Sequence, residues 1–170
     1  VKSGAVADED TPRDLPYPRL DPGESQYELT AEQNAAAQSL RRGIESGAYA
    51  TTLLRGVTGS GKTEVYLEAL RHALDTERGA LLVVPEIALT PQLLARVEGA
   101  LPSGDEVVVL HSGLGKADRR DAWMRLLRGE ARVAVGARSA LFAPVQNLGL
   151  IVVDEEHEPS LKQDETPRYH

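Results

Sequence analysis

Residues 56–63 read Gly56-Val57-Thr58-Gly59-Ser60-Gly61-Lys62-Thr63. This is a complete phosphate-binding loop, G-x-x-x-x-G-K-T, and one physical device accounts for its fixed positions. Glycine lets the backbone turn tightly, so that successive N–H groups converge on phosphate oxygens. Lys62 is placed to reach the β- and γ-phosphates, and the Thr63 hydroxyl to ligate Mg²⁺. A helix beginning near Lys62 sets its positive dipole end beneath the anion. Gly56, Thr58, Gly59, Ser60, Gly61, Lys62 and Thr63 are therefore the candidate residues for binding a nucleoside triphosphate.

The flanks of the loop suit this reading. Thr52-Leu53-Leu54 reads as a short buried strand, spanning 52–55. The segment 62–76 reads as a helix with Val65, Leu67, Leu70 and Leu74 at helical spacing. Upstream, Ala36, Ala37, Leu40 and Ile44 form an apolar helix stripe that ends near Gly47. Downstream, apolar runs at 80–84, 106–110, 132–135 and 148–153 alternate with helical patterns at 91–100 and 116–127. Short apolar runs alternating with helices predict an α/β fold, a parallel sheet of five strands covered on both faces. Residues 1–26 carry Pro12, Pro16, Pro18 and Pro22 among Asp, Glu, Gly and Ser, and are expected to form a linker or disordered arm. The domain proper is expected over 27–170, incomplete at its C-terminal end.

The strand at 148–153 runs into Asp154-Glu155-Glu156-His157. Ligands of parallel α/β sheets bind beyond the carboxyl ends of the strands, so these acids and the phosphate loop should share one edge. Asp154 is the expected Mg²⁺ partner, direct or through water, and Glu155 is placed to orient or deprotonate an attacking water. Thr30-Ala31-Glu32-Gln33 fits a capping box, with Thr30 as N-cap. Gln33 has a second reading, as an amide that hydrogen-bonds the adenine edge.

The chain of 170 residues has 41% hydrophobic and 26% charged residues, as in ordinary globular domains, and its length allows one domain with a real core. It shows no apolar run long enough to span a membrane and no signal peptide. The absence of cysteine excludes disulfides and thiolate metal sites within this sequence. These features point to a cytoplasmic setting. A net charge of −7 argues against a broad nucleic-acid surface. A local basic groove is still available from Arg119, Arg120, Arg125, Arg128, Arg132 and Arg138, against the plainer reading of solvated helix faces.

Taken together, LLRGVTGSGKTEVYLEAL, LLVVPEIALTPQL, LHSGL, GARSALFAP, NLGLIVVDEEHE and the terminal KQDETPRYH resemble the primosomal protein N′ family. These are superfamily 2 DNA helicases of bacterial replication restart. The resemblance runs over residues 27–170. It implies a RecA-like P-loop NTPase domain that uses ATP and Mg²⁺, contacts single-stranded or forked DNA, and meets primosome and restart proteins near the nucleoid, with no membrane partner. In the family's pattern Gln33 would recognise adenine, Lys62, Asp154 and Glu155 would be catalytic, and His157 would couple nucleotide state to DNA. Thr90, Arg138, Ser139 and Arg168 are the implied DNA contacts, and Tyr169 could stack on a base. Capping by Thr90 and a surface ion pair for Arg138 are the structural alternatives. The family's zinc cysteines and second motor domain, with its arginine finger, have no counterpart in this sequence. Two positions depart from the family: Ala137 replaces a usual Thr, and Leu161 a usual aromatic residue.

Three functions follow from these residues. One is a motor-domain segment of a DNA-dependent ATPase and 3′–5′ helicase. Another is a module that recognises forked DNA and recruits partners with weak or no ATP turnover. A small-molecule kinase or GTPase is disfavoured, because neither Asn34 nor Asn147 is followed by Lys, as guanine-reading N-K-x-D requires.

Overall fold

The structure, a computed structural model, describes residues 28–101 and 107–161. The proposed arm at 1–26 and the C-terminal Arg168, Tyr169 and His170 lie outside the described residues. Four helices, α1 (Ala31–Ser46), α2 (Lys62–Asp75), α3 (Pro91–Ala100) and α4 (Lys116–Arg128), surround strands β1 (Gly79–Val83), β2 (Val107–Leu110), β3 (Val133–Gly136) and β4 (Leu148–Val153). The strands form one parallel sheet in the order β2-β3-β1-β4. Short 3₁₀ turns at Glu86–Ala88, Arg138–Phe142 and Pro159–Leu161 follow β1, β3 and β4.

Side chains alternate along each strand, so the central strand feeds two cores. Ala80, Leu82 and Val84 join Val133 and Val135 beneath Leu67, Leu70 and Leu74 of α2 and Leu94 and Val97 of α3. Leu81 and Val83 join Ala134, Val108 and Leu110 beneath Leu126 of α4. Every residue of β1 is buried, which is the pattern of a strand covered on both faces. Helix α1 packs on α2 through Ile44, Ala69 and Ala73. Glu68 of α2 is held by both Arg41 and Arg71, and Glu64 pairs with Arg96 of α3 at 2.5 Å. Such partly exposed pairs add little to stability, and the apolar contact dominates.

Local signals set the helix ends. Thr30 caps α1 with the full reciprocal box, and Gly47 closes it in the left-handed conformation at φ 65°. Thr90 caps α3, accepting from the Leu93 N–H at 3.3 Å, with Pro91 in the first turn. The Arg132 guanidinium donates to the Leu74 carbonyl at 3.0 Å, near the end of α2, where helix carbonyls lack partners.

One expected strand is not formed. Residues 52–55 make no ladder, and among the described residues the sheet has four strands rather than five. Leu53 is 68% exposed. An apolar run becomes a strand only where a neighbour supplies hydrogen bonds and a covered face. Among the described residues nothing pairs with the outer edge of β4, and Ile151 and Val153 on that strand are exposed. Among the described residues, no helix is long and apolar enough to cross a membrane.

Gly136 ends β3 against the segment that follows. A Cβ there would sit 2.8 Å from the Ala140 Cβ and closer still to the Leu110 carbonyl oxygen. Gly136→Ala should therefore lower unfolding free energy by about 1–3 kcal/mol in urea titration, the usual cost of overpacking. Gly43, inside α1, meets nothing within 4 Å of such a Cβ. Gly43→Ala should raise stability by about 0.5–1 kcal/mol in the same titration, because helical Gly carries an entropic cost relative to Ala.

Candidate functional site

The carboxyl ends of β1, β3 and β4 share one edge of the sheet, and the N-terminus of α2 faces the same edge. The backbone of Asp154 extends the β1–β4 ladder by one bond, its N–H donating to the Val83 carbonyl at 2.9 Å. The phosphate loop turns where its glycines allow. Gly59 and Gly61 lie at φ 78° and 79°, in the region open to glycine but strained for other residues. A Ser60 N–H bond to the Val57 carbonyl, 3.1 Å, closes the turn. Gly61 also begins α2, accepting from the Val65 N–H at 3.3 Å.

Lys62 folds back along its own loop. Its ammonium donates to the carbonyls of Gly56 at 2.8 Å and Val57 at 3.2 Å. The charge therefore lies over the mouth of the loop.

Gln33 performs two tasks with one amide. Its Oε1 accepts from the Thr30 N–H at 2.8 Å, completing the capping box, and its Nε2 donates to the Ser60 carbonyl at 2.9 Å. The capping reading is thus observed. With it comes a contact that spacing alone did not reveal, a tie between α1 and the phosphate loop.

Asp154 is oriented from both sides. Its Oδ1 accepts from the Glu155 N–H at 3.0 Å, and its Oδ2 from the Tyr66 hydroxyl at 3.0 Å. Tyr66 is only 4% exposed. Burial is the main cause that holds its phenol far above the ordinary value, and a Thr63 hydrogen bond works against it. The nearby Asp154 charge and the hydrogen bond to Asp154 push the same way as burial, so the hydroxyl keeps its proton and acts as a donor. Tyr66 did not emerge from the sequence as a site residue. The available signal was its place one turn after Thr63, together with the rule that a buried tyrosine hydroxyl requires a partner.

These observations test the fit of a nucleotide and a divalent cation. The loop offers N–H groups and an ammonium for anionic oxygens. Thr63 in the first turn of α2 and Asp154 after β4, held by the Tyr66 hydroxyl, offer the hydroxyl and single carboxylate that Mg²⁺ takes beside phosphate oxygens and water. Among the described residues there is no cluster of three or more His, Cys, Asp or Glu suited to a metal held by protein alone. The donor set fits a metal shared with phosphate.

Glu155 is exposed and sits at φ 51°, strained for a residue with a Cβ. Its Oε2 lies 3.4 Å from the His157 Nε2. Glu156 is exposed in the same turn.

Thr90 and the pair Arg138–Ser139 follow the neighbouring strands β1 and β3, so the fold brings them to the same edge. Thr90 spends an acceptor position on its cap and keeps its hydroxyl proton. Arg138 is half-buried, whereas Ser139 is exposed. The Ala137 methyl is buried, and Leu161 packs against the α4-side core. Arg168 lies outside the described residues.

The six arginines do not form a single groove. Arg132 precedes β3 and Arg138 follows it, so they lie at opposite edges of the sheet. Arg119, at the start of α4, donates to the Ser112 carbonyl at 3.3 Å, while Arg128, at its end, pairs with Glu130 at 3.6 Å. The lengths of α4 and β3 separate the arginines at their two ends.

Similarity to known proteins agrees with this geometry. The replication restart protein PriA of Bacillus subtilis is 50% identical over 142 residues, which cover 84% of this chain and 17% of that protein. The PriA proteins of Synechocystis and Chlamydia pneumoniae are 42% and 44% identical over 98% and 84% of this chain. The chain thus spans about a fifth of the length of these relatives. A solved structure of RecG bound to a three-way DNA junction superposes with a TM-score of 0.69 at 27% identity, over 78% of this chain and 18% of that one. This likeness bears out the RecA-like α/β reading of the sequence. The DEAD/DEAH box helicase pattern matches residues 30–168, most of the sequence, and the chain belongs to that family.

Proposed function

We propose that this chain is the ATP-binding motor segment of a DNA-dependent ATPase and 3′–5′ helicase that acts in replication restart. The observation that carries the reading is the shared edge. A phosphate loop at the start of α2 shares its edge with an Asp-Glu-Glu-His turn at the end of β4, and Tyr66 of α2 hydrogen-bonds Asp154 of that turn. Family membership brings nucleotide use, and the PriA relatives favour restart as the setting.

In this reading the loop N–H groups and Lys62 bind the β- and γ-phosphates. Lys62 exchanges its two carbonyl partners for phosphate oxygens. Thr63 and Asp154 hold Mg²⁺, which neutralises charge developing on the phosphates. Glu155 orients and deprotonates the attacking water. Gln33 reads adenine with its amide while α1 keeps it close to the loop. His157, beside Glu155, links that carboxylate to the DNA-facing turn. Thr90, Arg138 and Ser139 hold the DNA backbone at the same edge, with Arg168 as a further contact, because such donors fix a strand without reading its sequence. Cytoplasmic, nucleoid-associated placement and contact with primosome proteins belong to the same proposal.

Lys62→Ala should weaken binding of a fluorescent ATP analogue to this chain by about 10–100-fold, the size expected for losing a hydrogen bond between charged groups. Affinity unchanged within twofold would remove Lys62 from the site. In the complete protein, Glu155→Gln should retain ATP binding while lowering DNA-stimulated hydrolysis by about 10²–10⁴-fold. Fork binding by the complete protein with no DNA-stimulated turnover would instead favour the recruitment module.

A further inference from the structure

We propose that Tyr66 is a positioning residue for the metal site, its hydroxyl holding Asp154 beside the turn that carries Thr63 so that the carboxylate is set before a metal ion arrives. The inference rests on the nucleotide reading above and gives a role to a residue to which that reading assigns none.

Tyr66 stands one helical turn after Thr63, so both side chains leave α2 on the same face. The ring is buried among Leu67, Leu70, Leu82 and Val84. Such packing fixes where the hydroxyl lies. That hydroxyl donates to Asp154 Oδ2 at 3.0 Å, across 88 residues of sequence. The other carboxylate oxygen is held by the Glu155 N–H at 3.0 Å. With one bond on each oxygen, the carboxylate cannot turn without losing both. Each oxygen keeps further lone-pair capacity for a metal or its water.

The direction of the protons matters. A threonine hydroxyl that gives a lone pair to a metal must send its hydrogen elsewhere. Tyr66 can accept that hydrogen, because its own proton is committed to Asp154. Tyr66 already holds Asp154 in this structure, one helical turn after Thr63. Groups that orient metal ligands in this way commonly govern metal affinity by about 10–100-fold.

The test is the Mg²⁺ dependence of nucleotide binding by this chain, followed with a fluorescent ATP analogue in EDTA and through a Mg²⁺ titration. Tyr66→Phe keeps the ring and removes only the hydroxyl. It should bind the analogue in EDTA as the unaltered chain does, yet need about tenfold more Mg²⁺ for half-maximal enhancement. In an Asp154→Asn background the same change should have a much smaller effect, since Tyr66 acts through that carboxylate. A purely structural tyrosine would instead weaken binding equally with and without Mg²⁺, and that result would overturn the inference. An unchanged Mg²⁺ dependence would also overturn it while leaving the nucleotide reading intact. Failure of the unaltered chain to bind the analogue would remove both. Tyr66→Leu, followed by its unfolding midpoint, separates loss of packing from loss of the hydroxyl: the Mg²⁺ shift should match that of Tyr66→Phe although stability falls further.

Discussion

Burial of β1 on both faces is the constraint from which the rest of the structure follows. A strand with no solvent face must be covered by helices above and below and paired along both edges. Leu82 and Val84 call for α2 and α3, and Leu81 and Val83 call for α4. Pairing with β3 on one side and β4 on the other then fixes where three carboxyl ends emerge. The phosphate loop, the acidic turn and the segment at Arg138–Phe142 share an edge because one strand is dry.

Much of this was legible in the sequence. The apolar runs that became β1 to β4 are short, rich in Val and Leu, and bounded by Gly, Pro or charge. Their alternation with helical stripes admits few other arrangements. The caps at Thr30, Gly47 and Thr90 could be read because each depends on residues within one turn. The run at 52–55 looked the same and did not become a strand. Apolarity states that a segment can be buried, whereas pairing depends on which neighbour is present, and that information lies outside the segment.

The candidate site was legible in its chemistry but not in its connections. The phosphate loop and Asp154 could be named because each has a characteristic local pattern. Tyr66 was hidden inside an apolar stripe, where its ring explains its presence and its hydroxyl goes unnoticed. The tie between Gln33 and Ser60 was hidden for a different reason, since no local rule relates residues 27 apart in sequence. The arginines admitted two readings, a local basic groove and the plainer one of solvated helix faces. Closeness in sequence does not make one groove, because the lengths of α4 and β3 hold Arg119 away from Arg128 and Arg132 away from Arg138. The strained Glu155 was invisible as well, because a left-handed backbone at a charged residue is imposed by the turn and not favoured by the residue.

The tie made by Gln33 has a consequence for motion. One end of a single amide closes the first turn of α1, and the other holds the carbonyl of Ser60. Fraying of that turn and loosening of the loop are therefore coupled through one hydrogen bond. Whatever steadies the loop slows exchange of backbone hydrogens at the start of α1, nearly thirty residues away. The helix terminus and the loop, distant in sequence, thus share a bond through which either can feel the other's motion.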